Sequence, residues 1–128
     1  MVSAAVSLLV VAGASSVAQE PETLIAAEAA DHVGEEATVC GKVAQAIFIE
    51  NERRQQTYLN FGAAWPDQLF NIVIRGRHRP RFAAPPEQIY ADRVLCVQGL
   101  IELVEGRPQI AVTRPEQITV VEAEAPNG

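Results

Sequence analysis

Thr57 to Arg81 reads TYLNFGAAWPDQLFNIVIRGRHRPR, and this stretch decides the fold. Tyr58-Leu59-Asn60-Phe61 alternates in polarity up to Gly62, and Phe70-Asn71-Ile72-Val73-Ile74 alternates on the return. A period of two sends successive side chains to opposite faces of a strand. Trp65-Pro66-Asp67 between the two runs is turn chemistry, because proline presets φ and aspartate stabilises bends. The pattern predicts a hairpin with a loop of roughly eight residues, longer than most connections. Leu59, Phe61, Phe70, Ile72 and Ile74 share the core parity. Tyr58, Asn60, Asn71, Val73 and Arg75 share the opposite face. Arg75, Arg77, Arg79 and Arg81 recur at every second position, so an extended chain lines them along one side. Gly76 and Pro80 oppose a continuous strand past Arg75.

Upstream, Ala37 to Ile49 (ATVCGKVAQAIFI) reads as a long strand with Val39, Gly41 and Val43 inward and Cys40 and Lys42 outward. Gly41 inside it predicts the bend or bulge that a small closed barrel needs. Glu50 to Gln56 is a polar, exposed hairpin loop. Before the strand, Leu24 to Val33 has helical spacing at Leu24, Ala27 and Ala30. Thr23 is its candidate cap, and Gly34 suits the left-handed stop. Downstream, Pro85-Pro86-Glu87-Gln88-Ile89 fits one helical turn started by proline. Arg93 to Val104 is a fourth strand with Leu95, Val97, Gly99, Ile101 and Leu103 in phase. Glu105 to Pro108 is a tight turn, and Gln109 to Val120 is a fifth strand interrupted by Pro115. The reading is all-β: five strands, a short N-terminal helix and a helical turn between strands three and four.

A chain of 128 residues suggests one domain. Residues 1–18 read as a signal peptide. Ala4 to Val11 is apolar but too short to span a bilayer, and Ser16-Val17-Ala18 supplies the small residues of a cleavage site before Gln19. The segment has no Lys or Arg, and a buried N-terminal helix is the alternative. No cysteine follows the apolar run to carry a lipid anchor, and no later run is long enough to cross a membrane. The mature domain is expected over residues 19–128, exported to the periplasm or beyond, with a frayed tail from about residue 122. Net charge is −6, which argues against a general nucleic-acid coat. The charge is uneven, however: residues 53–81 hold six arginines against Asp67, and acids dominate both flanks. A local basic surface steers anions even on an acidic body.

Val39-Cys40-Gly41-Lys42-Val43, Tyr58-Leu59-Asn60-Phe61-Gly62, Trp65-Pro66 with Phe70-Asn71-Ile72-Val73-Ile74, Val97-Gln98-Gly99 and Gly106-Arg107-Pro108-Gln109-Ile110 together resemble a family. They are similar to the bacterial OB-fold domains of nucleic-acid-binding type found with secreted sugar-nonspecific nucleases. The likeness spans about residues 25–121. It implies a five-stranded Greek-key barrel whose ligand face lies on strands two and three and the flanking loops. It implies no nuclease activity, because in that family the nuclease chemistry belongs to a separate domain. The sparse aromatics and negative net charge depart from the pattern of a nucleic-acid binder.

Cys40 and Cys96 fall on the outward parity of the first and fourth strands, which an OB barrel pairs. A cross-strand disulfide is expected, with two free thiols as the alternative. Tyr58, Asn60 and Arg75, with Lys42, Arg77 and Arg79, are the candidate ligand-binding residues. The tyrosine stacks a base and the cations meet phosphates of a single strand; the alternative is an ordinary solvated face on which Asn60 closes a turn. Trp65 is expected to pack over a barrel end. His32 and His78 read as structural or solvated, without a nearby nucleophile. Neither histidine neighbours a cysteine at ligand spacing, so no metal site and no cofactor are expected, and nothing requires an enzyme. The expected function is an exported module binding single-stranded nucleic acid or another anionic ligand without catalysis. The alternatives are an envelope protein-interaction adaptor and a small-molecule or cation-binding periplasmic barrel.

Overall fold

Alternating runs with turn residues between them favour antiparallel pairing, and most of the strand pairings take it. A computed structural model describes residues 22–121; the expected signal peptide and the tail from residue 122 lie outside them. The strands are β1 (Glu22–Ile25), β2 (Glu36–Glu50), β3 (Gln55–Phe61), β4 (Phe70–Arg75), β5 (Val94–Val104), β6 (Arg107–Ala111) and β7 (Ile118–Val120). They form one sheet in the order β1-β2-β3-β4-β6-β5-β7, and an added β2–β5 pairing closes β2, β3, β4, β6 and β5 into a ring. The protein is all-β among the described residues, with short helical segments at Ala26–His32, Gly76–Arg81, Pro86–Ile89 and Pro115–Gln117.

The core hairpin is as its alternation dictates. β3 and β4 pair antiparallel with Leu59 opposite Ile72 and Phe61 opposite Phe70. All five nominated core residues are fully buried. Phe61 and Phe70 meet with ring centroids 5.2 Å apart; burying each contributes about 2–3 kcal/mol. The Gly62–Leu69 loop closes through the Leu69 amide, which donates to the Phe61 carbonyl at 3.1 Å. The two inward glycines make room for the largest core side chains. A Cβ on Gly41 would stand 2.9 Å from the Phe61 ring, and one on Gly99 would stand 2.7 Å from Ile110.

Four expectations are corrected. The helix expected over Leu24–Val33 begins as β1, which pairs in parallel with β2, and continues as a 3-10 helix over Ala26–His32. Leu24 and Ala29 are buried there, while Ala27 and Ala30 are exposed. Pairing with the edge of β2 satisfies the backbone of Glu22–Ile25 and outweighs the helical propensity of its residues. The fifth strand divides at Pro115 into β6 and β7, so seven strands replace five. Leu103 leaves the core phase and is 57% exposed. The bulge lies between Val43 and Gln45 rather than at Gly41. Gly34 keeps its expected role, with φ of 92°.

Cys40 and Cys96 stand directly opposite each other on β2 and β5 and form a disulfide with Cα atoms 4.0 Å apart. No helix among the described residues is long and apolar enough to cross a membrane.

Candidate functional site

The bulge in β2 builds the site. Val43 points into the core; past the extra residue the parity reverses, so Gln45, Ile47 and Ile49 turn to the outer face. Registered pairs then align four strands. Gln45 of β2 faces Asn60 of β3, Asn60 faces Asn71 of β4, and Asn71 faces Gln109 of β6. This row of four amides crosses the outer face of the sheet. A neighbouring row runs Ile47, Tyr58, Val73 and Ala111, and a third runs Ile49, Gln56 and Arg75.

The amides are largely desolvated: Asn60 is 2% exposed, Asn71 5% and Gln109 6%. Asn60 Nδ2 donates to Gln45 Oε1 at 2.8 Å, and Asn71 Nδ2 donates to Gln109 Oε1 at 3.1 Å. Gln45 Oε1 also accepts the Trp65 backbone N–H at 2.9 Å, which ties the long loop to the row. Arg107 secures the same loop by donating to the Pro66 carbonyl. Trp65 does not pack over an end of the ring. It is 67% exposed, correcting the expectation, because the loop is held from below by its backbone and leaves the indole outside. Amide row, Trp65, Tyr58, Gln68 and the apolar Ile47, Ile49 and Val104 enclose a groove of about 260 Å³.

A second hollow of about 380 Å³ adjoins it at the tip of the β2–β3 hairpin, lined by Arg53, Arg54, Arg75 and Arg77 with Glu52 among them. Asn51 shapes the tip: its Oδ1 accepts the backbone N–H groups of Arg53 at 2.9 Å and Arg54 at 2.8 Å. Gln56, Tyr58 and Asn60 share the outer face of β3, so hollow and groove follow one another along that strand at about 7 Å per step. The Tyr58 hydroxyl donates to Gln56 Oε1 at 2.5 Å.

The structure therefore brings Tyr58 and Asn60 together in the groove, and Arg75 and Arg77 together beside it. It separates Lys42 and Arg79 from both. Lys42 is exposed on β2 opposite Val94 of β5 and lines neither hollow. The arginine row does not form, because Gly76–Arg81 is a 3-10 helix, whose three residues per turn spread alternate side chains around the axis. Arg79 turns inward, ion-paired with Glu87 at 2.5 Å, donating to Thr57 Oγ1 and lying 3.7 Å over the Phe48 ring. Burial pushes the Glu87 carboxyl up, but the Arg79 and Thr57 hydrogen bonds, its own backbone amide and the Arg79 charge together outweigh burial and hold it below the usual carboxylate range. Arg81 donates to the Thr113 carbonyl at 2.9 Å.

His78 is buried, and its Nε2 accepts from Arg77 Nε at 3.2 Å. Burial, then the charges of Arg81, Arg77 and Arg75, lower its pKa. His32 sits with Glu22 and Glu35, one ligand atom from each lying within 4.8 Å of the others. Its Nδ1 lies 2.9 Å from Glu35 Oε1, and this bond chiefly raises its pKa, against a loss of hydration.

Gln45, Gln68, Asn71 and Gln109 were not nominated from the sequence. Asn71 already shared a face with Asn60 by parity. Gln45 is hidden by the bulge, which reverses parity after Val43, and Gln109 reaches the row only through the parallel β4–β6 pairing.

No protein-family model matches the chain, and no curated protein matches it. Among solved structures the chain is similar to a putative aspartyl-tRNA synthetase from Leishmania major Friedlin, at 10% identity and a TM-score of 0.49. The match covers 84% of this chain and 22% of that one, so this chain spans under a quarter of that protein. A likeness at this score carries no weight for fold or function.

Proposed function

We propose that this chain is an exported OB-type binding module that holds single-stranded nucleic acid in the outer groove, without catalysis. The OB reading draws support from the ring: β4 and β6, its third and fifth strands in chain order, pair in parallel, while the other ring pairings are antiparallel. Export is in keeping with the Cys40–Cys96 disulfide, since such bonds persist in oxidising compartments. The observation that carries the ligand reading is adjacency. An exposed indole and a row of amides line the groove, and four arginines line the hollow that follows it along β3. Trp65 and Tyr58 offer faces for base stacking, and Arg53, Arg54, Arg75 and Arg77 offer charge for phosphates. The negative net charge is tolerated because steering depends on the local field.

The test is titration of the oxidised protein against labelled single-stranded oligonucleotide at low and moderate salt. Saturable binding that weakens with salt, and whose salt slope becomes shallower in Arg75→Ala/Arg77→Ala, supports the reading. No binding at low salt sinks it.

The exposed apolar rim of Ile47, Ile49 and Val104 favours a second reading, an envelope adaptor that docks a protein segment in the groove. Binding of that kind is insensitive to loss of the arginines.

A further inference from the structure

Glu22, His32 and Glu35 bring one donor atom each to within 4.8 Å of one another. His32 Nδ1 lies 2.9 Å from Glu35 Oε1 and 3.9 Å from Glu22 Oε1. The three stand on separate pieces of chain: the first residue of β1, the last of the 3-10 segment, and the residue before β2. An α-helix over Leu24–Val33 would hold residues 22 and 32 roughly 15 Å apart. The strand and 3-10 segment that replace it fold Glu22 back beside His32, so no spacing in the sequence signals the group. The backbone behind it is fixed. The Glu35 N–H donates to the His32 carbonyl at 3.1 Å, the Gly34 N–H to the Ile101 carbonyl at 2.8 Å, and the Ile101 N–H to the Glu35 carbonyl at 3.0 Å. The turn that carries two of the donors is thereby stitched to β5.

We propose that these three side chains bind a divalent transition-metal ion of the zinc class, which clasps β1 to the turn before β2. The donor set is one imidazole nitrogen and two carboxylate oxygens, which differs from a run of surface carboxylates in its nitrogen. Imidazole suits zinc-like ions, whereas magnesium and calcium take oxygen ligands. Zinc bonds to such donors are about 2.0–2.2 Å long, and three protein ligands with water in the fourth position complete a tetrahedral shell. The separations fit: a point equidistant from the three atoms lies within a few tenths of an ångström of that bond length, even at the widest spacing of the group. The Glu22 and Glu35 side chains are 61% and 55% exposed, so rotation about their own bonds closes the difference. Charge agrees with the donor set. Both carboxylates pair with His32 and with no lysine or arginine among the described residues, so a divalent cation balances the two negative charges beside a neutral imidazole. The site shares no residue with the groove or the arginine-lined hollow and does not depend on the nucleic-acid reading.

The chain has two histidines, and its two cysteines are joined in the disulfide, so a zinc-binding event is readily assigned. The experiment titrates the oxidised, chelator-stripped protein with Zn²⁺ against a chromophoric competitor at neutral pH, with Ca²⁺ in excess. One ion per chain is expected, together with a higher urea midpoint in its presence. His32→Gln, Glu22→Gln and Glu35→Gln are each expected to weaken binding at least about tenfold, since loss even of a hydrogen-bond partner of a metal ligand costs that much. His78→Gln is expected to bind as the wild type does. If His32→Gln does not fold by circular dichroism, Glu22→Gln, on the exposed start of β1, decides. Any of four results overturns the proposal: no binding at millimolar Zn²⁺, binding left intact in folded His32→Gln or Glu22→Gln, displacement by Ca²⁺, or half an ion per chain from a bridge between two copies.

Discussion

Arg79 closes on Glu87 at 2.5 Å, each side chain less than a fifth exposed, and in doing so leaves the basic surface to which its sequence spacing assigned it. The pair joins the 3-10 segment after β4 to the helical turn Pro86–Ile89, with Thr57 of β3 hydrogen-bonded to Glu87 at 3.1 Å. Its work is to hold the ring together at this end. Arg79→Ala leaves a desolvated carboxylate behind and is expected to cost about 2–3 kcal/mol in urea unfolding, somewhat less than a fully buried pair. Oligonucleotide affinity is expected to hold within about twofold where Arg75→Ala/Arg77→Ala loses it. Glu87 has a depressed folded pKa, so its contribution is complete above its ordinary value of 4.5 and is lost as pH falls through the folded value.

Gly41 and Gly99 face Phe61 and Ile110 across gaps that hold no extra carbon. Gly41→Ala and Gly99→Ala are each expected to destabilise by about 1–3 kcal/mol through overpacking. Gly106, where a Cβ meets nothing but φ is 80°, separates backbone strain from packing. Equal urea midpoints for Gly41→Ala and wild type would show that Phe61 can move aside.

The Cys40–Cys96 bond closes a span of 56 residues. Restricting the unfolded chain over that span contributes up to about 4 kcal/mol. Reduction, or Cys40→Ala/Cys96→Ala, is expected to lower the urea midpoint markedly while preserving the far-ultraviolet signature of the sheet at low urea.

Trp65→Ala removes a side chain that is 67% exposed while its backbone anchor to Gln45 stays in place. Stability is expected to change by no more than about 0.5 kcal/mol. Oligonucleotide affinity is expected to fall by about 1–3 kcal/mol, the worth of one stacked base. Unchanged affinity, with indole fluorescence blind to added oligonucleotide, removes Trp65 from the site.

The two histidines have opposite pH signatures. His78 has a lowered folded pKa, so the unfolded chain binds its proton first. Stability falls as pH drops below 6.5 toward the folded value. His32 has a raised folded pKa, so its contribution is present below 6.5 and is lost as pH rises through the folded value. Urea midpoints across this range in His78→Gln and His32→Gln, each taken as a difference from wild type, are expected to slope in opposite directions.

The local pattern was sufficient where each residue's place depends on its near neighbours. Alternation named Leu59, Phe61, Phe70, Ile72 and Ile74 as core, because a strand's two faces follow from parity alone. The opposed cysteines followed from the same parity together with the strand pairing that the family resemblance supplied. Parity fails where one residue is added. The bulge after Val43 reversed the face of Gln45, Ile47 and Ile49, and no local signal placed it there rather than at Gly41. Spacing by two fails where the chain coils, so the arginines from Arg77 to Arg81 scattered and Arg79 found Glu87. Only the tertiary structure assembled the amide row, because Gln45, Asn60, Asn71 and Gln109 lie on four strands and meet through pairings that span the chain. Only the long loop, fastened by its backbone to Gln45 and Arg107, set Trp65 outside.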